Sequence, residues 1–159
     1  MTHLLDTSAV LAHLRKEPGA EQVQEIFDRE DGTILLCSVS LAELARRLRE
    51  LGATPEQAWE KIDGYRQVVD GMVAVDESVA RDSDRILNAT PERLPLVDAL
   101  IASAARSREA VLVHRDAHLR AIPEALVAQL DLERLLAKPA AMSAASTASP
   151  PPAGEAGLE

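Results

Sequence analysis

His3-Leu4-Leu5-Asp6-Thr7-Ser8, residues 3 to 8, is the stretch whose reading decides the fold. A short apolar run ends in a carboxylate, and Ala9-Val10-Leu11-Ala12-His13-Leu14 then carries apolar residues at helical spacing. Thr7 or Ser8 is suited to cap that helix, because a short hydroxyl side chain accepts a hydrogen bond from a free N–H of the first turn. Strand, acid, helix is the order that brings a functional group to the carboxyl end of a strand, where open α/β sheets collect their ligands. Asp6 is therefore a candidate for the rim of a crevice. The other reading of the same residue is a helix N-cap without chemistry, and this stretch alone leaves both open.

Working outward, Pro18-Gly19 interrupts the first helical pattern, and Val23, Ile26 and Phe27 define a second helix ending near Asp31-Gly32. Thr33 to Cys37 reads as a second strand. Leu41, Leu44, Ala45, Leu48 and Leu51 then form the apolar stripe of a helix that Gly52 stops. Thr54-Pro55-Glu56-Gln57 joins a capping box to a proline at the first helical position, so the next helix runs to about Val69. Met72 to Val75 is a third strand, followed by a helix that Asp76 opens and by a loop from Asn88 to Pro95. Leu96-Val97-Asp98 leads into an alanine-rich helix, and Ala110 to Val113 is a fourth strand ending at His114-Arg115-Asp116.

This alternation predicts an α/β domain of three layers, with a mainly parallel central sheet of about four to five strands and helices on both faces. It occupies residues 1–138. Residues 139–159 are mostly Ala, Ser, Pro and Gly, with Glu155 and Glu159 the only charges, and their composition predicts a disordered tail with too little apolar surface to offset its ordering entropy.

With 159 residues, 47% of them hydrophobic, the chain can build one domain with a proper core. It shows neither an apolar run of membrane-spanning length nor a basic start followed by a long apolar segment, so a cytoplasmic protein is expected. The single cysteine, Cys37, lies inside an apolar run, which excludes a disulfide framework and a cysteine-based zinc site. The formal net charge of −9 speaks against nucleic-acid binding through the overall field and leaves only local patches for it. Phe27, Trp59 and Tyr65 are too few aromatics for a base-stacking platform, so a nucleic-acid ligand would be gripped by its phosphates.

Four acids stand where elements begin or end: Asp6, Glu43, Asp98 and Asp116. Each has an ordinary reading as well. Ser40-Leu41-Ala42-Glu43 matches a capping box in which the glutamate bonds back to the Ser40 N–H. A helical wheel at ~100° per residue sets Glu43 nearly opposite the leucine stripe, which leaves it free to face a crevice. Asp98 could be an N-cap before Ala99, and Asp116 a turn acid after a strand. Asp76 is read as an acid that merely favours a helix start.

Taken together, Leu4-Leu5-Asp6-Thr7-Ser8-Ala9, Ser40-Leu41-Ala42-Glu43-Leu44, Leu96-Val97-Asp98-Ala99-Leu100-Ile101-Ala102 and Leu112-Val113-His114-Arg115-Asp116 resemble the PIN domain family, most of all its VapC-type ribonuclease toxins. The resemblance covers nearly all of residues 1–138, includes the spacing between motifs, and excludes the tail. It implies that Asp6, Glu43, Asp98 and Asp116 form a metal-binding acidic pocket that is also the catalytic centre, with Thr7 or Ser8 offering a hydroxyl at its edge. It further implies an RNA substrate, a small antitoxin protein as partner, and a homodimer. One position departs from the pattern: many relatives carry a further acid two residues after the fourth, where this chain has His118. Either Asp116 serves that corner alone, or His118 gives the substrate a hydrogen bond or a proton.

A phosphodiester is anionic, so a cluster of carboxylates makes sense only with hard cations between them. Oxygen ligands favour Mg²⁺ or Mn²⁺, and no His or Cys group has zinc spacing. Such an ion would activate water for in-line attack, which makes the expected reaction a hydrolysis without a covalent intermediate. Arg15, Lys16, Arg46, Arg47 and Arg49 could surround the pocket, and Arg115, beside Asp116, is the chosen candidate for gripping substrate. Two other readings stand against this one: a PIN scaffold that binds RNA or a partner without cleavage, and a receiver-like Mg²⁺ signalling module. The module expects paired acids after the first strand and a late lysine, whereas Thr7 follows Asp6 and the lysines are Lys16, Lys61 and Lys138.

Overall fold

The computed structural model describes residues 1–137; the segment predicted to be a tail lies outside the described residues. Five strands, β1 (Thr2–Leu5), β2 (Thr33–Cys37), β3 (Gly71–Val73), β4 (Val111–His114) and β5 (Gln129–Asp131), form one sheet in the order β3-β2-β1-β4-β5. Every neighbouring pair is parallel. Eight helices accompany them among the described residues: α1 (Thr7–Leu14), α2 (Ala20–Phe27), α3 (Ser38–Glu50), α4 (Pro55–Val68), α5 (Glu77–Ala89), α6 (Leu96–Ser107), α7 (Ala117–Arg120) and α8 (Leu132–Ala137).

Successive strand residues point to opposite faces, and a parallel sheet covered on both sides needs apolar residues at both. Leu4, Cys37, Val73 and Leu112 accordingly join one core with residues of α5, α6 and α7, including Val79, Ile86, Ile101 and Leu119. Leu5, Ile34, Leu36 and Val113 join the other, with Val10, Val23, Leu44, Leu48, Ile62 and Leu132. The predicted three layers are present, and Cys37 fills core. In α6 the buried residues Ala99, Ala102, Ser103, Ala104 and Ala105 are small, which lets α5 come close enough for Ser103 Oγ to donate to the Val79 carbonyl at 2.8 Å.

From β1 the chain steps outward through β2 to β3, then returns to lay β4 on the other side of β1. The strand order therefore reverses between β1 and β4, and it is outside the carboxyl ends at such a reversal that doubly wound sheets bind their ligands. Asp6 and Asp116 follow those two strands.

Several boundaries differ from the sequence expectation. Helix α2 stops at Phe27 rather than near Gly32, because Asp28, Arg29 and Glu30 offer nothing to bury and are exposed. Strand β3 pairs only with Leu35 to Cys37 of β2, so it starts at Gly71 and ends at Val73. Strand β5 lengthens the sheet beyond the four strands located in the sequence, still within the range of four to five, and α7 and α8 follow the last two strands. Two local expectations hold to the atom. Thr54 and Gln57 form the capping box of α4, with reciprocal bonds of 3.2 and 2.9 Å, and Asp76 caps α5 by accepting from the Val79 N–H at 3.0 Å.

Candidate metal centre

Asp6 leaves β1 with its N–H still donating to the Val113 carbonyl at 2.9 Å, which holds it against β4. Its side chain divides its labour. Oδ2 caps α1 by accepting from the Ser8 N–H at 2.9 Å and from Ser8 Oγ at 2.5 Å, whereas Oδ1 is buried with no hydrogen-bond partner. The residue is 3% exposed. Burial pushes its pKa up to about 6, against the pull of the two Ser8 bonds, and the charges of Glu43 and Asp116 push the same way as burial. The N-cap expected of Asp6 is present on Oδ2, and Oδ1 is left without a protein partner.

Asp98 sits in the first turn of α6 with its side chain 14% exposed. Its pKa is raised to about 7 by burial first, then by the charges of Asp116, Asp6 and Glu43. The charges of Asp6, Glu43 and Asp116 thus reach Asp98, while the close grouping of ligand atoms is of Asp98 and Asp116 with His118 and leaves out Asp6 and Glu43. Asp98 is not the N-cap that its position before Ala99 suggested: α6 begins at Leu96 after Pro95, and the aspartate is already the third helical residue. Glu43 likewise does not close a capping box. Helix α3 begins at Ser38 with Cys37 as its N-cap, so Ser40 is inside the first turn and its Oγ is buried without a partner. Glu43 is left half-buried, and beside it a shallow cavity of about 200 Å³ is lined by Val39, Ala42, Glu43, Arg46 and Val97.

Asp116 caps the short helix α7, its Oδ1 accepting from the N–H groups of His118 at 2.7 Å and Leu119 at 3.3 Å. His118 Nδ1 lies 3.3 Å from Asp116 Oδ1 and 4.0 Å from Asp98 Oδ2. Asp98, Asp116 and His118 each bring a ligand atom within 4.8 Å of the others. An orphaned buried carboxylate oxygen on Asp6, the close grouping of Asp98 and Asp116 with His118, and oxygen-dominated donors fit a divalent cation.

The residues expected around the acids have more specific tasks than the sequence indicated. Ser8 Oγ donates to Asp6 and accepts from the Arg115 N–H at 2.9 Å, so this hydroxyl ties the end of β1 to the turn after β4. Thr7 is buried and its Oγ1 has no partner. The Arg115 guanidinium, expected to grip substrate, pairs with Glu17 at 3.0 Å, and Glu17 also pairs with Arg15 at 2.8 Å. Arg46 and Arg47 pair with Glu50.

Sequence reasoning missed His114 and Gln129. His114 is fully buried, and burial lowers its pKa, which keeps the imidazole neutral. Its Nδ1 accepts the Asp116 N–H at 3.2 Å, so the proton is on Nε2, which donates to Gln129 Oε1 at 2.8 Å. Gln129 Nε2 in turn donates to the Ile122 carbonyl at 2.8 Å. A histidine closing the run Val111-Leu112-Val113 was the available signal. Its partner is on β5, which the sequence did not disclose.

The geometry defines a doubly wound α/β protein with an acidic, cation-ready crevice at its strand-order switch. The sequence profile of the PIN domain family matches residues 3–125, and the chain belongs to that family. Among solved structures, the chain is similar to VapBC2 from Rickettsia felis bound to a DNA fragment from the promoter, at 20% identity and a TM-score of 0.66, covering 82% of this chain and 98% of that one. DNA-bound VapBC from Salmonella typhimurium gives 21% identity, a TM-score of 0.64 and coverages of 83% and 98%. VapBC-5 from Mycobacterium tuberculosis, described as a member of a family of toxin-antitoxin systems, gives 26%, 0.56, and 82% and 98%. These likenesses establish the fold. A search of the curated proteins finds no significant match.

Proposed function

We propose that this protein is an endoribonuclease dependent on Mg²⁺ or Mn²⁺, and that it is the toxin of a toxin–antitoxin pair. The observation that supports the proposal is the grouping of Asp98 and Asp116 with His118, together with an oxygen of Asp6 that is buried and unpaired, Asp6 following β1 and Asp116 following β4. In this reading Asp6, Glu43, Asp98 and Asp116 hold the cation and are the catalytic residues. A divalent ion, when bound, lets an anionic phosphodiester approach four carboxylates and polarises water for attack on phosphorus.

The chain's own contribution is position. Ser8 keeps Oδ2 of Asp6 engaged and leaves Oδ1 free of protein partners, and His114 fixes the backbone of Asp116. Arg115 and Arg15, gathered by Glu17, border the turn after β4 and are the proposed contacts for RNA phosphates, exchanging Glu17 for substrate. Thr7 and Ser8 line the same edge.

The antitoxin partner rests on the company this fold keeps, since the similar structures are named as VapBC complexes. A homodimer and a cytoplasmic location belong to the same proposal. No helix among the described residues is long and apolar enough to cross a membrane. The test is expression of the chain alone and together with its neighbouring gene. Growth arrest that requires Asp6 and is relieved by the neighbour is expected; absence of arrest, with no small protein copurifying, would remove the toxin assignment.

A further inference from the structure

The inference here rests on the reading of the four acids as a divalent-cation site and concerns which ion that site selects. His118 is the second residue of α7, and two anchors fix where its side chain starts. Asp116 Oδ1 accepts the His118 N–H at 2.7 Å, and the next residue, Leu119, is fully buried in the core. The imidazole is 57% exposed, yet Nδ1 is directed at the acids, 3.3 Å from Asp116 Oδ1 and 4.0 Å from Asp98 Oδ2.

Those separations have a meaning in coordination geometry. Two ligands at right angles on one ion, with bonds of about 2.1 Å, stand about 3 Å apart, and opposite ligands stand about 4.2 Å apart. The two separations of His118 Nδ1, 3.3 Å from Asp116 Oδ1 and 4.0 Å from Asp98 Oδ2, fall in that interval, and Asp116 Oδ1 also accepts the capping N–H groups of His118 and Leu119. A second observation points to an ion in the same crevice: Asp6 Oδ1 is buried, unpaired and close enough to feel Asp116 and Glu43.

We propose that His118 Nδ1 is a direct metal ligand, so that this site carries one nitrogen donor among carboxylates and selects Mn²⁺ over Mg²⁺. Mg²⁺ holds its water tightly and takes oxygen almost exclusively, whereas imidazole is a good ligand for first-row transition ions. Replacing an acid by a histidine also removes one negative charge from the shell, which weakens the purely electrostatic hold on Mg²⁺ more than the partly covalent hold on Mn²⁺. The competing role for the same contact is an Nδ1–H donated to Asp116, with no bond to the ion.

The experiment uses the full chain, stripped of metal and titrated with Mn²⁺ alone and Mg²⁺ alone by calorimetry, together with pulsed electron paramagnetic resonance of bound Mn²⁺. Wild type is expected to show ¹⁴N modulation on Mn²⁺. His118→Asp should abolish that modulation and lower the Mn²⁺-to-Mg²⁺ affinity ratio on the order of tenfold or more. Bound Mn²⁺ in wild type without nitrogen coupling would overturn the proposal while leaving the acid site intact, and so would an unchanged ratio in His118→Ala. If neither ion binds wild type, or Asp6→Asn binds both ions as before, the reading of the acids fails and this proposal with it. The spectroscopic arm needs no variant, so a folding defect in a substituted chain does not shield the claim.

Discussion

Asp6 divides its two oxygens: Oδ2 caps α1, and Oδ1 is buried without a partner. Its capped oxygen is satisfied; its other oxygen and the Asp98 carboxylate are desolvated among like charges. The ordinary aspartate value is 3.8, and the folded protein raises Asp6 to about 6 and Asp98 to about 7. A raised carboxylate favours the native state while protonated, so this contribution is fully present below the unfolded value and is lost as pH rises through the folded one. The metal-free protein is therefore expected to melt at a lower temperature at pH 8 than at pH 5, with saturating Mn²⁺ restoring stability at pH 8. Scanning calorimetry checks this, and a slope unchanged in the Asp6→Asn, Asp98→Asn double variant would contradict the cause. Asp6→Asn, Glu43→Gln, Asp98→Asn and Asp116→Asn should each lower RNA cleavage strongly. Asp76→Asn should leave cleavage alone, since its carboxylate only caps α5 and asparagine caps nearly as well. All four acids were legible in the sequence as positions. The capping box at Ser40 was a false lead because α3 starts three residues earlier than its leucine stripe indicates.

Among the elements, the sheet order decides where chemistry can happen, and the alternation of apolar strands with capped helices disclosed most of it. Thr54 with Gln57 and Asp76 were readable because capping is local, decided within four residues. Strand β5 was not, since Gln129-Leu130-Asp131 offers a single apolar side chain and owes its place to pairing with β4 and to the ion pair of Asp131 with Arg120. The contact of His114 with Gln129 was hidden with it. That contact has a measurable worth. His114→Leu leaves the Asp116 N–H and Gln129 Oε1 unpaired, for an expected loss of about 1–3 kcal/mol. His114→Asn keeps an acceptor near the place of Nδ1 and should lose less stability. Urea midpoints of the two variants test the order, and equal losses would mean that the ring's volume matters rather than its bonds.

Over the whole molecule, charge and topology pull in different directions. A chain of net charge −9 repels RNA at long range, so binding has to be local and should weaken steeply with salt once phosphates replace Glu17 at Arg15 and Arg115. Every residue assigned to the site precedes Leu119, and a chain lacking residues 139–159 is expected to cleave as the full chain does, which the same assay measures. The likeness of the fold to VapBC structures, at 20–26% identity, leaves the reaction to be established on this chain itself. The most direct measurement incubates purified wild-type protein and its Asp6→Asn variant with total RNA, in Mn²⁺, in Mg²⁺ and in chelator, and maps the cut ends. Discrete internal cuts by wild type with either ion, lost in chelator and lost in Asp6→Asn, are the expected result. Cuts that persist in chelator or in the variant, or RNA retained but never cut with the ion bound, would contradict a cation-dependent nuclease built on these four acids.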